Sequence, residues 1–179
     1  MKATGIVRRI DDLGRVVIPK EIRRTMRIRE GDPLEIYTTR EGEVIFKKYS
    51  MMGGLEDFAA LFCDTLHRST GFSAVVTDRD TVVAAAGPGK RELLGKRISP
   101  TLEQLMEKRS VYRSASRSEA VAVTEAESPC AAGIAAPILC QGDVMGLVLF
   151  LTDGDKMPDE AEFKLAQTVA AFLGKHLEG

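Results

Sequence analysis

Arg8-Arg9-Ile10-Asp11-Asp12-Leu13-Gly14-Arg15-Val16-Val17-Ile18-Pro19-Lys20-Glu21-Ile22-Arg23-Arg24 decides how the first fifty residues are read. The segment runs as a short alternating strand, a turn at Gly14 and a β-branched run. A helix then opens at Pro19, where the missing N–H costs nothing because first-turn donors have no intrahelical partner. Arg8, Arg15, Arg23 and Arg24 stand at the ends of these elements and at the turn. There, side chains project from a small scaffold instead of packing into it. Working outward, strands are expected over Thr4 to Ile10 and Arg15 to Val17, and a helix from Pro19 to Met26. Glu30-Gly31-Asp32-Pro33 marks a turn. Leu34 to Thr39 and Val44 to Lys48 form a hairpin across Arg40-Glu41-Gly42-Glu43. Fifty residues of this kind bury a low fraction of their surface alone, so oligomerisation is the expected remedy.

Met1 to Tyr49 resembles the swapped-hairpin DNA-binding domain of AbrB-type transition-state regulators. The resemblance is carried by Lys2-Ala3-Thr4-Gly5-Ile6-Val7-Arg8-Arg9, by Leu13-Gly14-Arg15-Val16-Val17-Ile18-Pro19 and by Glu21-Ile22-Arg23-Arg24-Thr25. It continues through Leu34-Glu35-Ile36-Tyr37 and Phe46-Lys47-Lys48-Tyr49. It implies a dimeric barrel of interleaved hairpins that binds double-stranded DNA, with Arg8, Arg15, Arg23 and Arg24 as contacts. A guanidinium suits that work, being always charged and presenting a planar fork to phosphates and guanine edges. The bland alternative is that these arginines form surface ion pairs with Asp11, Asp12 and Glu21. Lys2, Arg9, Lys20 and Arg27 are weaker candidates. No aromatic residues interleave the charges, which argues against single-strand binding by base stacking. Without a long recognition helix, readout of DNA shape as much as of base edges is expected.

Charge separates the two parts of the chain. Residues 1 to 50 hold 12 Lys+Arg and 8 Asp+Glu, a balance of +4, and the remainder carries −5. A basic head on an acidic body suggests that only the head meets a polyanion. Cys63, Cys130 and Cys140 are odd in number and lack CxxC spacing, so reduced cysteines are expected, with no disulfide framework or metal site. No secretory signal is visible and no apolar run reaches the ~18 residues of a membrane span. A cytoplasmic protein, not bound to membrane, is the expectation.

Ser50-Met51-Met52-Gly53-Gly54 reads as a linker, dividing a head (1–50) from a body (55–179). Leu55, Phe58, Ala59, Phe62 and Leu66 follow helical spacing, giving a helix from Leu55 to His67. Strand-like runs Phe72 to Thr77 and Thr81 to Ala86 flank Asp78-Arg79-Asp80, and Gly87-Pro88-Gly89 breaks the chain. Ser99-Pro100 opens a helix to about Lys108. Val111 to Val123 is weakly patterned, with short strands. Ala132 to Cys140 and Val144 to Leu151 form a hairpin, and Asp159-Glu160-Ala161-Glu162 has the spacing of a capping box for the last helix. This order is similar to that of GAF domains, and a PAS-like layout is the alternative. The fold class is therefore α+β: a swapped-hairpin barrel followed by a GAF-like antiparallel sheet with flanking helices. Both end helices carry apolar faces too broad for one sheet. A second dimer interface there would close a tetramer.

Catalytic constellations and phosphate-loop signatures are absent, so an enzyme is not expected and no cofactor is assigned. His67 and His176 sit in apolar helical patterns as half-buried structural residues. Asp155-Lys156 and Phe163 echo the GAF cyclic-nucleotide signature, but its Asn is missing and Gln167 stands in its acidic place. A small-molecule effector of unknown identity is expected in a pocket walled by the Phe72 to Ala86 strands and the Pro129 to Gly133 loop, with Cys130 in that loop. The resemblance implies a transcriptional regulator of sporulation-type genes, with activation and repression both open. The other reading is the antitoxin of a toxin–antitoxin pair, which shares this DNA-binding fold. Such antitoxins carry a short disordered tail, where here a folded body follows.

Overall fold

A computed structural model describes residues 4–49, 54–126 and 129–178 and divides the chain into two units, Met1–Tyr49 and Ser50–Gly179. Apart from Gly54, the expected linker lies outside the described residues, as does Lys2.

In the first unit, the helix Lys20–Thr25 (α1) follows the buried Pro19. Strands Leu34–Thr38 (β1) and Val44–Lys48 (β2) pair antiparallel as the expected hairpin, Leu34 opposite Lys48 and Thr38 opposite Val44. The expected strands over Thr4 to Ile10 and Arg15 to Val17 are not formed. A strand needs a neighbour for its N–H and C=O groups. Among the described residues this stretch only closes a turn on itself, the Asp11 N–H donating to Arg15 O at 3.1 Å and the Gly14 N–H to Asp11 O at 3.0 Å. Its apolar side chains stay in water, Val7 88 % and Val17 71 % exposed.

The second unit is built on one antiparallel sheet. In chain order its elements are helix Glu56–Thr70 (α2), strands Ala74–Thr77 (β3) and Val82–Ala86 (β4), and helices Lys90–Leu93 (α3) and Pro100–Glu107 (α4). Strands Tyr112–Arg113 (β5), Val121–Ala122 (β6), Ala131–Cys140 (β7) and Asp143–Leu151 (β8) follow, then helix Glu160–His176 (α5). The strand order is β4-β3-β8-β7-β5, with β6 also pairing β7.

Local signals set the helix ends. Ser99 Oγ accepts the Leu102 N–H at 3.1 Å, and Asp159 with Glu162 forms the expected capping box. Gly71, at φ +81°, ends α2 by donating its N–H to His67 O. The tight turn between β3 and β4 is held by Asp78 Oδ1, which accepts the N–H groups of Asp80 at 2.7 Å and Thr81 at 2.6 Å.

Both faces of the sheet are covered, which explains why β7 and β8 read as continuous apolar runs. Val76, Ile134, Ile138, Val148 and Phe150 pack under α2 and α5, against Ala59, Cys63, Ala166 and Leu173. Val75, Ala135, Leu147 and Leu149 face the other way, onto Leu93, Ile98, Leu102 and Met106. A register shift at Gly133 lets Ala132 and Ala135, three residues apart, share that second face.

Two glycines mark where backbones touch. A Cβ on Gly146 would fall on the carbonyl of Thr77, and one on Gly174 of α5 on the carbonyl of Leu139. Gly146→Ala and Gly174→Ala should each destabilise the chain by about 2–4 kcal/mol in urea denaturation. Gly142→Ala, where φ is +88° but nothing lies within 4 Å, should lose only about 1–2 kcal/mol.

Candidate nucleic-acid interface

The turn in the first unit is organised by one carboxylate. Asp11 Oδ1 accepts the backbone N–H of Leu13 at 3.0 Å and that of Arg15 at 2.7 Å. Its Oδ2 accepts the Arg15 Nε–H at 2.7 Å. An Asp at this place in a turn is the residue whose side chain can mimic a backbone acceptor. Gly14, at φ +75°, supplies the left-handed step before Arg15.

Arg8, Arg15, Arg23 and Arg24 are all exposed. Arg8 lies before the turn, Arg15 at its far end, and Arg23 and Arg24 in the last turn of α1. The ion pairs expected from the bland alternative form at one of the four: Arg15 pairs with Asp11. Asp12 and Glu21 take none of the others among the described residues. Arg9 and Lys20 are exposed as well. Arg27 is different: half-buried at φ +52°, it turns the chain after α1. Its carbonyl accepts Lys48 Nζ at 3.0 Å, Lys48 stands 3.6 Å from Asp32 Oδ2, and that oxygen also accepts the Arg29 N–H at 2.8 Å. This lock ties the segment after α1 to β2 and makes Arg27 a structural residue. The role of Asp11 escaped the sequence reading, which treated it as a surface ion-pair partner. The Asp-to-Gly spacing at the turn is the signal that identifies it.

In the second unit, a cleft of about 250 Å³ opens at the rim of the sheet, lined among others by Ser73, Glu92, Arg117, Cys130, Thr152 and Asp153. Its walls differ from the expected ones. Pro129 and Cys130 contribute, but Ser73 alone comes from the Phe72 to Ala86 stretch, because β3 and β4 are spent on the two cores. Cys130 is half-buried, and a Cβ on Gly89 would stand 2.6 Å from its Sγ. Cys63 and Cys140 are buried, and burial, then the charge of Asp64, pushes the Cys63 thiol up to about 12.

The residues echoing a cyclic-nucleotide signature are not brought together. Asp155 pairs with Arg117 at the surface at 3.4 Å, whereas Phe163 packs on the core under α5. His67 is half-buried with Nδ1 2.9 Å from the Phe72 carbonyl, as expected. His176 is exposed rather than half-buried. Its ring lies 4.9 Å from that of Phe58 and 6.1 Å from that of Phe172, while Phe62 sits 5.2 Å from Phe172.

Two family profiles match the chain. Residues 54–178 match one described as stage V sporulation protein T C-terminal, transcription factor. Residues 7–52 match one described as antidote-toxin recognition MazE, bacterial antitoxin. Stage V sporulation protein T of Bacillus subtilis (strain 168) is 47 % identical over 178 residues, covering 99 % of both chains. The transition state regulatory protein AbrB of the same organism is 63 % identical over 49 residues, 27 % of this chain and 50 % of that one. Among solved structures, the GAF domain of an Acinetobacter phosphoenolpyruvate-protein phosphotransferase is similar with a TM-score of 0.57. Its identity is 15 % over 69 % of this chain and 81 % of that one, a likeness of fold.

The turn titrates in a defined direction. The Arg15 backbone N–H, then its guanidinium, hold the Asp11 carboxyl below its usual value of 3.8, with Leu13 adding to the effect. A depressed folded-state pKa stabilises the turn above the ordinary carboxylate value, and that gain is lost as pH falls through the lowered one. In an NMR titration the Asp11 carboxyl should titrate below 3.8, and the Arg15 Nε–H resonance should move with it.

Proposed function

The chain belongs to the stage V sporulation protein T family, and from that membership we propose that residues 1–50 hold duplex DNA through Arg8, Arg15, Arg23 and Arg24. The protein is a transcriptional regulator of sporulation genes, with an AbrB-type DNA-binding domain followed by a GAF-like domain. The exposure of all four of these guanidiniums within the single segment Arg8 to Arg24, where Arg9 is exposed too, is the observation that carries the DNA-contact assignment. With about six phosphates neutralised per dimer, log K should fall with log salt at a slope of roughly −5. Arg23→Ala/Arg24→Ala should weaken binding to a duplex selected in vitro with the wild-type chain by tenfold or more, with an unchanged melting curve. Full-strength binding by that variant would remove both residues from the interface.

Oligomerisation is read from two bare surfaces. In the first unit the apolar residues of the unpaired stretch, together with Ile36 and Val44, suit the interleaving of hairpins from a second copy. On α2 and α5, Phe58 (42 % exposed), Leu61 (63 %) and Phe172 (47 %) suit a second interface between copies. Two different two-fold contacts per chain close a tetramer. Phe58→Glu/Phe172→Glu should convert that tetramer into dimers in sedimentation velocity. A variant that remains tetrameric would move the interface elsewhere.

The cleft beside Cys130 is the candidate effector site of the GAF-like domain. An effector held there acts on DNA binding only through different affinities for two arrangements of the tetramer, a coupling of about 1–3 kcal/mol in typical cases. Cys130 offers a direct probe, as the half-buried thiol among three. Iodoacetamide should modify Cys130 well before Cys63 in the intact chain, and an occupied cleft should slow the reaction. The antitoxin reading draws on the profile over residues 7–52, but residues 54–178 match a transcription factor's C-terminal domain instead of a toxin-wrapping tail.

A further inference from the structure

Arginine at the turn and carboxylate beside it carry opposite expectations for DNA. Within residues 11–15, a single Asp11 side chain takes the Leu13 and Arg15 backbone N–H groups on one oxygen and the Arg15 Nε–H on the other. A guanidinium has five N–H donors in a fixed plane. Here the carboxylate engages Nε, and the terminal Nη1 and Nη2 groups of Arg15 hold no hydrogen bond among the described residues. The donors left over form the fork that pairs two at a time with a phosphate or with guanine O6 and N7. All of these contacts lie within five consecutive residues, so they do not wait on a partner chain.

We propose that Asp11 is a positioning residue of the DNA-binding head: it holds Arg15 by Nε and the turn by two backbone N–H groups, fixing the direction in which the open fork of Arg15 faces DNA. This rests on the reading of Arg15 as a DNA contact. An Arg side chain loses much rotamer freedom when it docks, and ordering it beforehand lowers that loss. The Arg15 backbone N–H and guanidinium favour the charged form of the Asp11 carboxyl in the free chain.

A simple field argument gives the reverse sign. A carboxylate close to phosphates repels them, so deleting it should tighten binding. Asp12 is the internal control: it is exposed, next in the chain, and makes no side-chain hydrogen bond among the described residues. The full chain and its variants are compared by fluorescence anisotropy on the same in-vitro-selected duplex. Asp11→Asn keeps an oxygen acceptor for the two backbone N–H groups but puts an NH2 donor where Oδ2 accepted the Arg15 Nε–H, so that bond is lost while the fold should persist, as a melting curve checks. Asp11→Asn should weaken binding about five- to twenty-fold, and Asp12→Asn should leave it unchanged or tighten it. In an Arg15→Ala background the Asp11→Asn loss should vanish. The Arg15 Nε–H resonance should lose its downfield position in Asp11→Asn. If Asp11→Asn binds as well as the wild type or better, the positioning role is overturned. It is likewise overturned if the loss persists in the Arg15→Ala background, since the carboxylate would then act on the turn alone. If Arg15→Ala itself binds at full strength, it is the assignment of Arg15 as a DNA contact that fails, and the proposal for Asp11 falls with it.

Discussion

A stretch of extended backbone without a neighbour leaves its N–H and C=O groups to water and its apolar side chains bare. Residues 4–10 and 16–17, on either side of the Asp11 turn, stand in that position within one chain. The rest of the head is arranged around this deficit. β1 and β2 make one small two-stranded sheet, and the Lys48–Asp32 lock fastens the segment after α1 to it. Two strands alone are marginal in water. In the proposed interleaved dimer a second copy of the same segment would supply both the missing hydrogen-bond partners and an apolar surface. In that proposal dimerisation and DNA binding are coupled, because the segment that needs the partner also carries Arg8 and Arg15.

The second unit meets the same constraint internally. β7 and β8 are flanked on both edges and covered on both faces, so their backbone and side chains are satisfied without another chain. On the outer side of α2 and α5, Phe58, Leu61 and Phe172 stay exposed, the rings of Phe58 and Phe172 beside that of His176. The space between the sheet and α4 is filled by Ile98, Leu102 and Met106, so room for a small molecule is left at the rim beside Cys130. The proposed effector cleft thus lies near the loops, which are the parts of a fold that vary most readily.

Elements whose determinants are local were legible in the sequence. The Ser99 cap, the Asp159–Glu162 capping box and the β1–β2 hairpin each depend on residues a few positions apart, and each formed where expected. β7 and β8 were legible because a doubly covered strand leaves a run of apolar residues. The strands expected over Thr4 to Val17 were not formed, since alternation reports which side chains want burial and says nothing about whether a pairing strand is in the same chain. α3 (Lys90–Leu93) was hidden behind Gly87-Pro88-Gly89, because a single helical turn has no periodicity to detect. The exposure of the four arginines was foreseeable from their positions at element ends. The use of Asp11 was harder to see, because an acidic residue beside basic ones reads equally well as a solvated ion pair.

The charge balance shows why arginine geometry matters more than charge count. The head carries +4 and the remainder of the chain −5, so the whole protein is slightly anionic. Non-specific attraction to DNA scales with the number of phosphates neutralised and weakens steeply with salt. A head with so small an excess gains little residence on DNA from its field alone, even when two copies double it. For the arginine contacts proposed above, selective affinity then comes from direction, from guanidinium forks set at the correct angle. Direction is what a short, hydrogen-bonded turn provides and a flexible cationic loop does not. On this argument the acidic body and the sparing charge of the head work together. In the proposed reading they suppress binding wherever the arginines do not fit.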